Sequence, residues 1–189
     1  MDFYYPLART LLQKAQKISL LILDVDGVLS DGKIYYSNTG DQAKSFHIQD
    51  GLGLVLLRDA NIQSAIVTGR DDYCVAKRVK ELKIPYYYPA NRYKAAALAD
   101  LLQKTGLKNE NCAYIGDDII DLPILKQVGL ATAVKNANPL ILPYCDYICQ
   151  HKGGEGAVRE VIDLILYSQD KLSTDAVSYT HLRAHETSL

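Results

Sequence analysis

Four groups of polar residues in this 189-residue sequence each stand where an apolar segment ends. The run LLIL at residues 20–23 leads directly into Asp24 and Asp26, which are followed by Gly27. An uninterrupted apolar run is typical of a strand buried on both faces, where an unpaired carboxylate is costly. Two other groups have the same arrangement: SAIV ends in Thr68-Gly69-Arg70, and CAYI ends in Gly116-Asp117-Asp118 with Asp121 one turn later. In the fourth group, Lys94 starts the predicted helix after IPYYYP.

The chemistry of these groups depends on their meeting at one place. In an open parallel sheet the carboxyl ends of the strands lie along one edge, so the four groups are expected to share a pocket. Carboxylates there repel each other unless a cation lies between them, and oxygen ligands suit Mg²⁺. A carboxylate beside this ion is a candidate nucleophile that forms an aspartyl-phosphate. The Thr68 hydroxyl and the Lys94 ammonium would then hold the phosphoryl oxygens.

The elements that must position these residues alternate along the chain. Apolar strand patterns occur in SLLILD, SAIVTG, IPYYYP, CAYIGD, LATAV and DYICQ. Helical patterns begin with PLARTLLQKAQK and continue in GLGLVLLRDAN, YCVAKRVKELK, YKAAALADLLQKTG, IIDLPILKQVG, NPLILPY and AVREVIDLILYSQ. This alternation predicts an α/β protein with a Rossmann-like three-layer fold, in which right-handed crossovers join a mainly parallel central sheet.

One segment breaks the alternation. KIYYSNTGDQAKSFHI has strand-forming residues on both sides of Ser37-Asn38-Thr39-Gly40, which predicts a β-hairpin inserted after the first strand. The gaps from Asp24 to Thr68 and from there to Lys94 leave no room for a separate cap domain. The site is therefore expected to be open within one subunit.

Length and composition favour one domain over residues 1–172. At 48% hydrophobic residues the chain can bury a sizeable core, but it is too short for two domains. Residues 173–189 lack periodicity and apolar runs, and we interpret them as a disordered or cloning-derived tail. His181 and His185 have helical spacing for a metal within this tail, but no third ligand is nearby, which favours a solvated tail.

The charge and the cysteines limit the partners and the compartment. With 21 basic and 22 acidic residues, the formal charge of −1 gives no general attraction to nucleic acid or to an anionic membrane. The four cysteines form no CxxC pair and are expected to be small buried residues of a reducing compartment. No secretion signal or membrane-spanning run is visible, so we expect a soluble, cytoplasmic protein.

The ordered set DxD, Thr, Lys and GDxxxD resembles the haloacid dehalogenase superfamily of phosphotransferases. The resemblance implies that Asp24 is the nucleophile and that Asp26 is the acid/base. It further implies that Mg²⁺ is bound by the carboxylates of Asp24 and Asp117 and by the backbone carbonyl of Asp26. Asp118 and Asp121 would then be outer-shell or further acidic support. A general acid favours dephosphorylation over dehalogenation, because a leaving alkoxide needs a proton and a halide does not.

Each motif has a plainer interpretation when it is taken alone. Thr68 alone is compatible with a helix cap, Lys94 with a solvated helix residue and GDD with a turn. A buried Asp24 without a partner is harder to explain in this way. The joint occurrence of all four motifs favours catalysis.

A closer resemblance covers residues 18–172. DVDGVLSDGKIYYSNTGD, KSFHIQDGLG, VTGR, YIGDDIIDLPIL and KGGEGAVREVIDLIL are similar to the 3-deoxy-D-manno-octulosonate 8-phosphate phosphatases. This resemblance implies a cytoplasmic, Mg²⁺-dependent homotetramer acting on a small phosphorylated keto sugar acid in lipopolysaccharide biosynthesis. It matches Arg70 and Arg78 to positions that face the sugar acid and Lys94 to the phosphate-binding lysine, although a solvated Arg78 remains an alternative. Guanidinium groups suit a carboxylate because they bind it in bidentate fashion.

The open site leads to a prediction about its closure. Paired hairpins of residues 33–47 are expected to form the central contacts of the tetramer. The glycine-rich loop of residues 151–157, with Lys152, Gly153 and Gly154, is expected to lie over the mouth of a site, that of a neighbouring subunit. Its plainer interpretation is a permissive turn before the last helix.

Three departures from this pattern leave alternatives open. Gln49 stands where a basic residue is expected, Tyr93 where a polar residue is expected, and Glu155 where an arginine is expected. All three lie near presumed substrate or subunit contacts. One alternative is a phosphatase of a nonulosonate 9-phosphate, although the resemblance indicates that the position of Arg70 tends to be acidic in that branch. Another is a non-catalytic partner domain of a sugar-nucleotide enzyme, which need not keep the whole catalytic set.

Overall fold

The computed structural model of the chain describes residues 7–38 and 42–172. The predicted tail with His181 and His185 and the tip of the predicted hairpin at residues 39–41 lie outside the described residues. The division of the chain at residue 172 therefore stays a prediction. In the described part, every helix is too short or too polar to span a bilayer.

A six-stranded parallel sheet forms the centre of the described chain. Its strand order is β5-β4-β1-β6-β7-β8, and every neighbouring pair is parallel. The apolar run LLIL becomes the central strand, where all four side chains are buried. The strands are β1 Leu20–Leu23, β4 Gln63–Val67, β5 Tyr86–Tyr88, β6 Cys112–Gly116, β7 Leu130–Ala133 and β8 Tyr147–Ile148.

Helices flank this sheet, as the alternating pattern predicts. They are α1 Arg9–Ala15, α2 Ile48–Asp59, α3 Tyr73–Leu82, α4 Lys94–Thr105, α5 Leu122–Leu125 and α6 Ala157–Ser168. The last helix, α6, packs against both α1 and α2, while α4 packs against α5. The structure therefore confirms the Rossmann-like three-layer fold with a parallel sheet.

One predicted helix is wrong. NPLILPY forms only a 3₁₀ turn at Leu142–Tyr144, because Pro139 and Pro143 lack the backbone donors that an α-helix needs. IIDLPILKQVG is also shorter than expected, with a 3₁₀ turn at Ile119–Asp121 before α5.

The segment after β1 contains the predicted hairpin. Its strands, β2 Tyr35–Tyr36 and β3 Gln42–Ala43, pair in antiparallel fashion. In the described residues between β1 and β4, this hairpin and α2 are the regular elements, so no separate cap domain covers the sheet edge. That edge of the sheet is therefore covered by loops and the hairpin and not by a second domain.

The cysteines only partly match the expectation of small buried residues. All four are free, but only Cys112 and Cys149 are fully buried, whereas Cys74 and Cys145 are half-buried. Burial raises the pKa of the Cys112 thiol to about 11, which keeps it protonated and unreactive at neutral pH.

Candidate active site

Adjacent parallel strands bring the predicted polar groups to one edge of the sheet. Asp24 follows β1, Thr68 follows β4 and Asp117 follows β6, and β1 pairs with both of the other strands. Oxygens of Asp24, Asp117 and Asp121 all lie within 4.8 Å of one another. Lys94 reaches them from the first residue of α4. The structure thus collects the carboxylates and the lysine in one cluster.

Lys94 is buried inside this cluster. Its ammonium lies 2.8 Å from Asp24 Oδ2, forms a second ion pair with Asp121 and donates to the Tyr114 hydroxyl over 2.9 Å. Burial alone would lower the pKa of Lys94, but the two carboxylates outweigh it, so the net shift is upward. Lys94 is therefore a cation, and the alternative of a solvated helix residue is excluded by its complete burial.

Asp24 stands at the centre of the cluster with only 4% of its surface exposed. Its Oδ1 accepts a hydrogen bond of 2.7 Å from the backbone N–H of Val25, while Oδ2 faces Lys94. Burial raises the pKa of Asp24 to about 6, with Lys94 opposing the rise and Asp121 adding to it. One carboxylate oxygen is thus fixed by the backbone and the other by a cation.

Asp117 and Asp121 come from the loop after β6 and differ in their environments. Burial and the neighbouring carboxylates of Asp24 and Asp121 raise the pKa of Asp117 to about 7. Asp121 is fully buried: its Oδ2 accepts from the backbone N–H groups of Asp117 and Asp118 at 2.8 and 3.2 Å, and its Oδ1 from the Tyr114 hydroxyl at 2.6 Å. Asp121 therefore holds both the loop and Lys94 in place.

Asp118 has a different setting from Asp121, although sequence analysis grouped the two residues. It is exposed, and its Oδ1 accepts from the backbone N–H of Ile119 at 2.7 Å and from Asn138 Nδ2 at 2.9 Å. These contacts cap the 3₁₀ turn after β6. Its acidic support of the site stays a prediction.

Two glycines of the motifs provide room for these carboxylates. Gly27 has a φ of +89°, and a Cβ at this position would overlap the carboxylate of Asp117. A Cβ at Gly116 would overlap the carboxylate of Asp121 in the same way. The glycines of DVDG and GDD are thus required because carboxylate groups occupy the space that side chains would fill.

The donor set fits a hard divalent cation. Asp24 and Asp117 both offer carboxylate oxygens, and their pKa values are raised by burial first and then by the neighbouring carboxylates. The oxygens of Asp121 are already engaged by Lys94, Tyr114 and backbone N–H groups. A cation bound by Asp24 and Asp117 would relieve their mutual repulsion.

Known proteins resemble this chain over most of its length. The profile of the haloacid dehalogenase-like hydrolases matches residues 87–162. A 3-deoxy-D-manno-octulosonate 8-phosphate phosphatase of Salmonella typhi is 47% identical over 169 residues, or 89% of this chain and 90% of that protein. The chain belongs to the family of 3-deoxy-D-manno-octulosonate 8-phosphate phosphatases. Both family resemblances inferred from the motifs are thereby confirmed.

Solved structures of this phosphatase family have the same fold. The Yersinia pestis phosphatase is 47% identical, with a TM-score of 0.88 and coverage of 91% of this chain and 94% of that one. The Moraxella catarrhalis phosphatase is 40% identical, with a TM-score of 0.84 and coverage of 92% and 97%. The latter structure is a complex with a magnesium ion, a phosphate ion and a KDO molecule.

Asp26, the family's predicted acid/base position, lies outside the carboxylate cluster. Its Oδ1 is 2.5 Å from the Lys44 ammonium, and its Oδ2 is 4.0 Å from Nε of Arg70, whose side chain is largely exposed. Sequence analysis missed Lys44, because nothing in the pattern of KSFHI distinguishes it from a solvated hairpin lysine. Thr68 is buried, and its Oγ1 accepts a long hydrogen bond of 3.4 Å from the backbone N–H of Arg70.

Arg78, predicted to face the sugar acid, lies between α3 and α2, next to Phe46. Its guanidinium is 3.1 Å from Glu81 and 5.9 Å from the centre of the Phe46 ring, and a Cβ at Gly51 would overlap it. Only 14% of its side chain is exposed, so the alternative of a solvated residue is wrong. Contact between Arg78 and a sugar acid stays a prediction.

The glycine-rich loop packs against the loop that follows β1 in the same chain. Gly154 donates from its backbone N–H to the carbonyl of Val28 over 2.9 Å, and a Cβ at Gly153 would overlap the carbonyl oxygen of Gly27. These two glycines therefore support the loop of residues 24–28 of their own chain. That they also cover the site of a neighbouring subunit stays a prediction. The close approach of two loop backbones explains the glycines. Lys152 is exposed, and its contact with substrate stays a prediction.

This contact predicts the effect of Gly153→Ala. The added methyl group would press on the Gly27 carbonyl and displace the loop of residues 24–27, which carries Asp24 and Asp26, so kcat should fall about tenfold or more. Overpacking should also lower the free energy of unfolding by about 1–3 kcal/mol. Gly129→Ala is the matched control, because its methyl group would overlap the Glu110 backbone far from the site. A similar loss of kcat in both variants would contradict a specific role of Gly153.

The departures from the family pattern lie away from the buried cluster. Gln49, Tyr93 and Glu155 are all exposed. Gln49 stands beside the glycine loop, since its Oε1 is 4.0 Å from the position of a Cβ at Gly156. The substitutions thus leave the cluster of Asp24, Lys94 and Asp117 intact.

Proposed function

We propose that this chain hydrolyses 3-deoxy-D-manno-octulosonate 8-phosphate to the free keto sugar acid and phosphate, in the biosynthesis of the inner-core sugar of lipopolysaccharide. The observation that carries the proposal is the buried cluster in which Asp24 is held between the Val25 backbone and Lys94, beside Asp117. Its relatives of 47% identity are named as phosphatases of this compound. We place the reaction in the cytoplasm, as the family resemblance implies.

The proposed reaction has two steps. In the first, a carboxylate oxygen of Asp24 attacks phosphorus, the bond from phosphorus to the sugar oxygen breaks, and Asp26 gives its proton to the leaving oxygen. In the second, Asp26 takes a proton from water, whose oxygen attacks phosphorus and releases phosphate from Asp24. Lys94 and the Thr68 hydroxyl hold the phosphoryl oxygens during both steps.

Mg²⁺ is the proposed cofactor. The carboxylates of Asp24 and Asp117 and the backbone carbonyl of Asp26 would hold it, with Asp118 and Asp121 as outer acidic support. When bound, Mg²⁺ neutralises charge on the phosphoryl group and on the attacking carboxylate. The raised pKa values of Asp24 and Asp117 support this proposal, since a cation would remove the repulsion that contributes to them.

The pKa values predict how stability depends on pH and Mg²⁺. Asp24 and Asp117 titrate near 6 and 7 in the folded, metal-free protein but near 3.8 when unperturbed. The contribution of these two carboxyl groups to the free energy of unfolding is therefore fully present below about pH 4 and is lost as the pH rises through 6 and 7. We expect Mg²⁺ to raise the thermal unfolding temperature much more at pH 8 than at pH 5. Differential scanning calorimetry with and without Mg²⁺ measures this difference.

Asp117→Asn is the control variant for that experiment. Without the second carboxylate, the metal-free protein should be more stable than wild type at pH 8, by on the order of 1–3 kcal/mol. It should also gain little stability from Mg²⁺ and lose most of its activity. An equal Mg²⁺ response of wild type and Asp117→Asn would contradict the proposed metal site.

A substrate panel tests the proposed activity. We expect kcat/KM to be highest for 3-deoxy-D-manno-octulosonate 8-phosphate among keto sugar phosphates, and EDTA to abolish turnover. Preference for a nonulosonate 9-phosphate would favour that alternative within the same chemistry. No phosphate release from any ester, with or without Mg²⁺, would favour the non-catalytic partner domain.

The chain is further proposed to act as a homotetramer whose sites are completed by neighbouring subunits, with Arg70, Arg78 and Lys152 directed to the sugar acid. Apolar side chains that are largely exposed around the hairpin support an interface there: Tyr35, Tyr36, Ile48, Leu52 and Tyr73. Multi-angle light scattering at assay concentration tests this arrangement. A fully active monomer would refute it without affecting the phosphatase assignment.

A further inference from the structure

Lys44 is a buried cation between two carboxylates that belong to different elements. It lies just after β3, on the returning limb of the hairpin, and only 1% of its side chain is exposed. Its ammonium is 2.5 Å from Asp26 Oδ1 and 3.1 Å from Asp72 Oδ2. A lysine on a short surface hairpin usually extends into solvent, so its burial requires an explanation.

Asp72, the second carboxylate beside Lys44, is held in position by α3. It is the N-cap of α3, where its Oδ1 accepts from the backbone N–H groups of Cys74 at 2.8 Å and Val75 at 3.3 Å. Together with Lys44, these hydrogen bonds hold the pKa of Asp72 below its usual value even though burial opposes them. Asp72 is thus an anion whose position is set by the helix.

Asp26 lacks such backbone support among its described contacts. Its carboxylate is 29% exposed, and its other cationic neighbour, Arg70, is 4.0 Å away on a side chain that is 44% exposed. Exposed ion pairs of this kind contribute little energy, whereas a short, buried ion pair strongly restricts the orientation of the carboxylate. Lys44 is therefore the main group that orients the carboxylate of Asp26.

We infer that Lys44 is a positioning residue, which fixes the Asp26 carboxylate where the leaving oxygen of the substrate arrives. The inference rests on the proposed function, in which Asp26 transfers the proton. Lys44 belongs to the hairpin, and Asp72 belongs to α3, so the orientation of Asp26 depends on correct docking of the hairpin against that helix. The hairpin thereby contributes to catalysis within its own subunit.

Two substrates that differ in leaving group test this inference. An alkyl phosphate needs protonation of its leaving oxygen, whereas p-nitrophenyl phosphate releases a stable phenolate and needs it little. In Lys44→Met, which keeps the length of the side chain and removes the charge, kcat/KM for the alkyl phosphate should fall about 10–100-fold. For p-nitrophenyl phosphate, kcat/KM should fall less than about threefold, because kcat/KM reports the steps up to loss of the leaving group and not the later attack of water, in which Asp26 also acts. Lys44→Arg should recover part of the alkyl activity.

Matched variants separate positioning from other roles. Lys104→Met is the control, because this lysine lies on α4 outside the hairpin, is 54% exposed and should leave both rates unchanged. In the Asp26→Asn background, Lys44→Met should cause almost no further loss of activity, because the effects of substitutions at residues that act as a unit are not additive. Circular dichroism of each variant checks folding. If Lys44→Met does not fold, Lys44→Gln is measured with the same pair of substrates.

The outcomes distinguish this inference from the proposed function. Equal losses of kcat/KM on both substrates, full additivity with Asp26→Asn, or an alkyl loss that comes from a rise in KM alone would overturn the positioning role and leave the phosphatase intact. Absence of turnover by the wild type on every ester would instead overturn the proposed function. A selective loss of alkyl kcat/KM that disappears in the Asp26→Asn background supports the inference.

Discussion

Asp24→Asn is expected to abolish turnover while leaving the fold intact. An amide cannot form the acyl-phosphate, so kcat should fall by roughly 10⁴-fold or more, as for other losses of a nucleophile. The fold should tolerate the change because the amide oxygen can still accept from Val25, and Lys94 keeps its ion pair with Asp121. The substitution removes a buried carboxyl group whose pKa is raised to about 6. The free energy of unfolding of the metal-free protein should therefore increase at neutral pH.

Phosphate release and calorimetry on the same preparations measure these two effects. Asp59→Asn is the control, because it makes the same chemical change at an exposed position at the end of α2. Asp24→Ala guards against slow deamidation of the new asparagine back to aspartate. Turnover by Asp24→Ala at the wild-type rate would exclude the aspartyl-phosphate mechanism.

Lys94→Met is expected to damage both stability and activity. Its removal leaves Asp24 and Asp121 buried together without their shared cation, and breaking a buried pair in this way costs about 3–5 kcal/mol. The loss should be larger at pH 8 than at pH 5, because protonation of one carboxylate relieves the repulsion at low pH. Turnover should also fall strongly, since Lys94 is the proposed phosphoryl contact.

The other lysine near the end of the same helix provides a matched control. Lys104 forms an exposed ion pair of 2.7 Å with Asp100, so Lys104→Met should change the free energy of unfolding by less than about 1 kcal/mol. Mg²⁺ should restore part of the stability of Lys94→Met and none of that lost in Lys104→Met. Equal destabilisation by the two substitutions would show that the buried lysine is not essential to the cluster.

The sequence by itself determined which segments form the sheet and at which strand ends the residues of the active-site cluster lie. The apolar runs at residues 20–23, 64–67 and 112–115 identified buried strands, and the carboxyl ends of parallel strands share an edge. Asp24, Thr68 and Asp117 were therefore predictable as neighbours, as was Lys94 at the start of its helix. The two prolines of NPLILPY argue against a helix. The prediction gave more weight to the apolar pattern, and it was wrong.

Only the tertiary structure decided which side chains contact each other across elements. Lys44 reaches Asp26 and Asp72, which lie 18 and 28 positions away in the sequence, and local periodicity carries no information about such a reach. The contact between Gly153 and Gly27 likewise depends on how the last loop docks on the first. Periodicity specifies the face and the end of an element, because these follow from its own geometry. The partners of a side chain follow from the packing of distant elements, which is set only when the chain has folded.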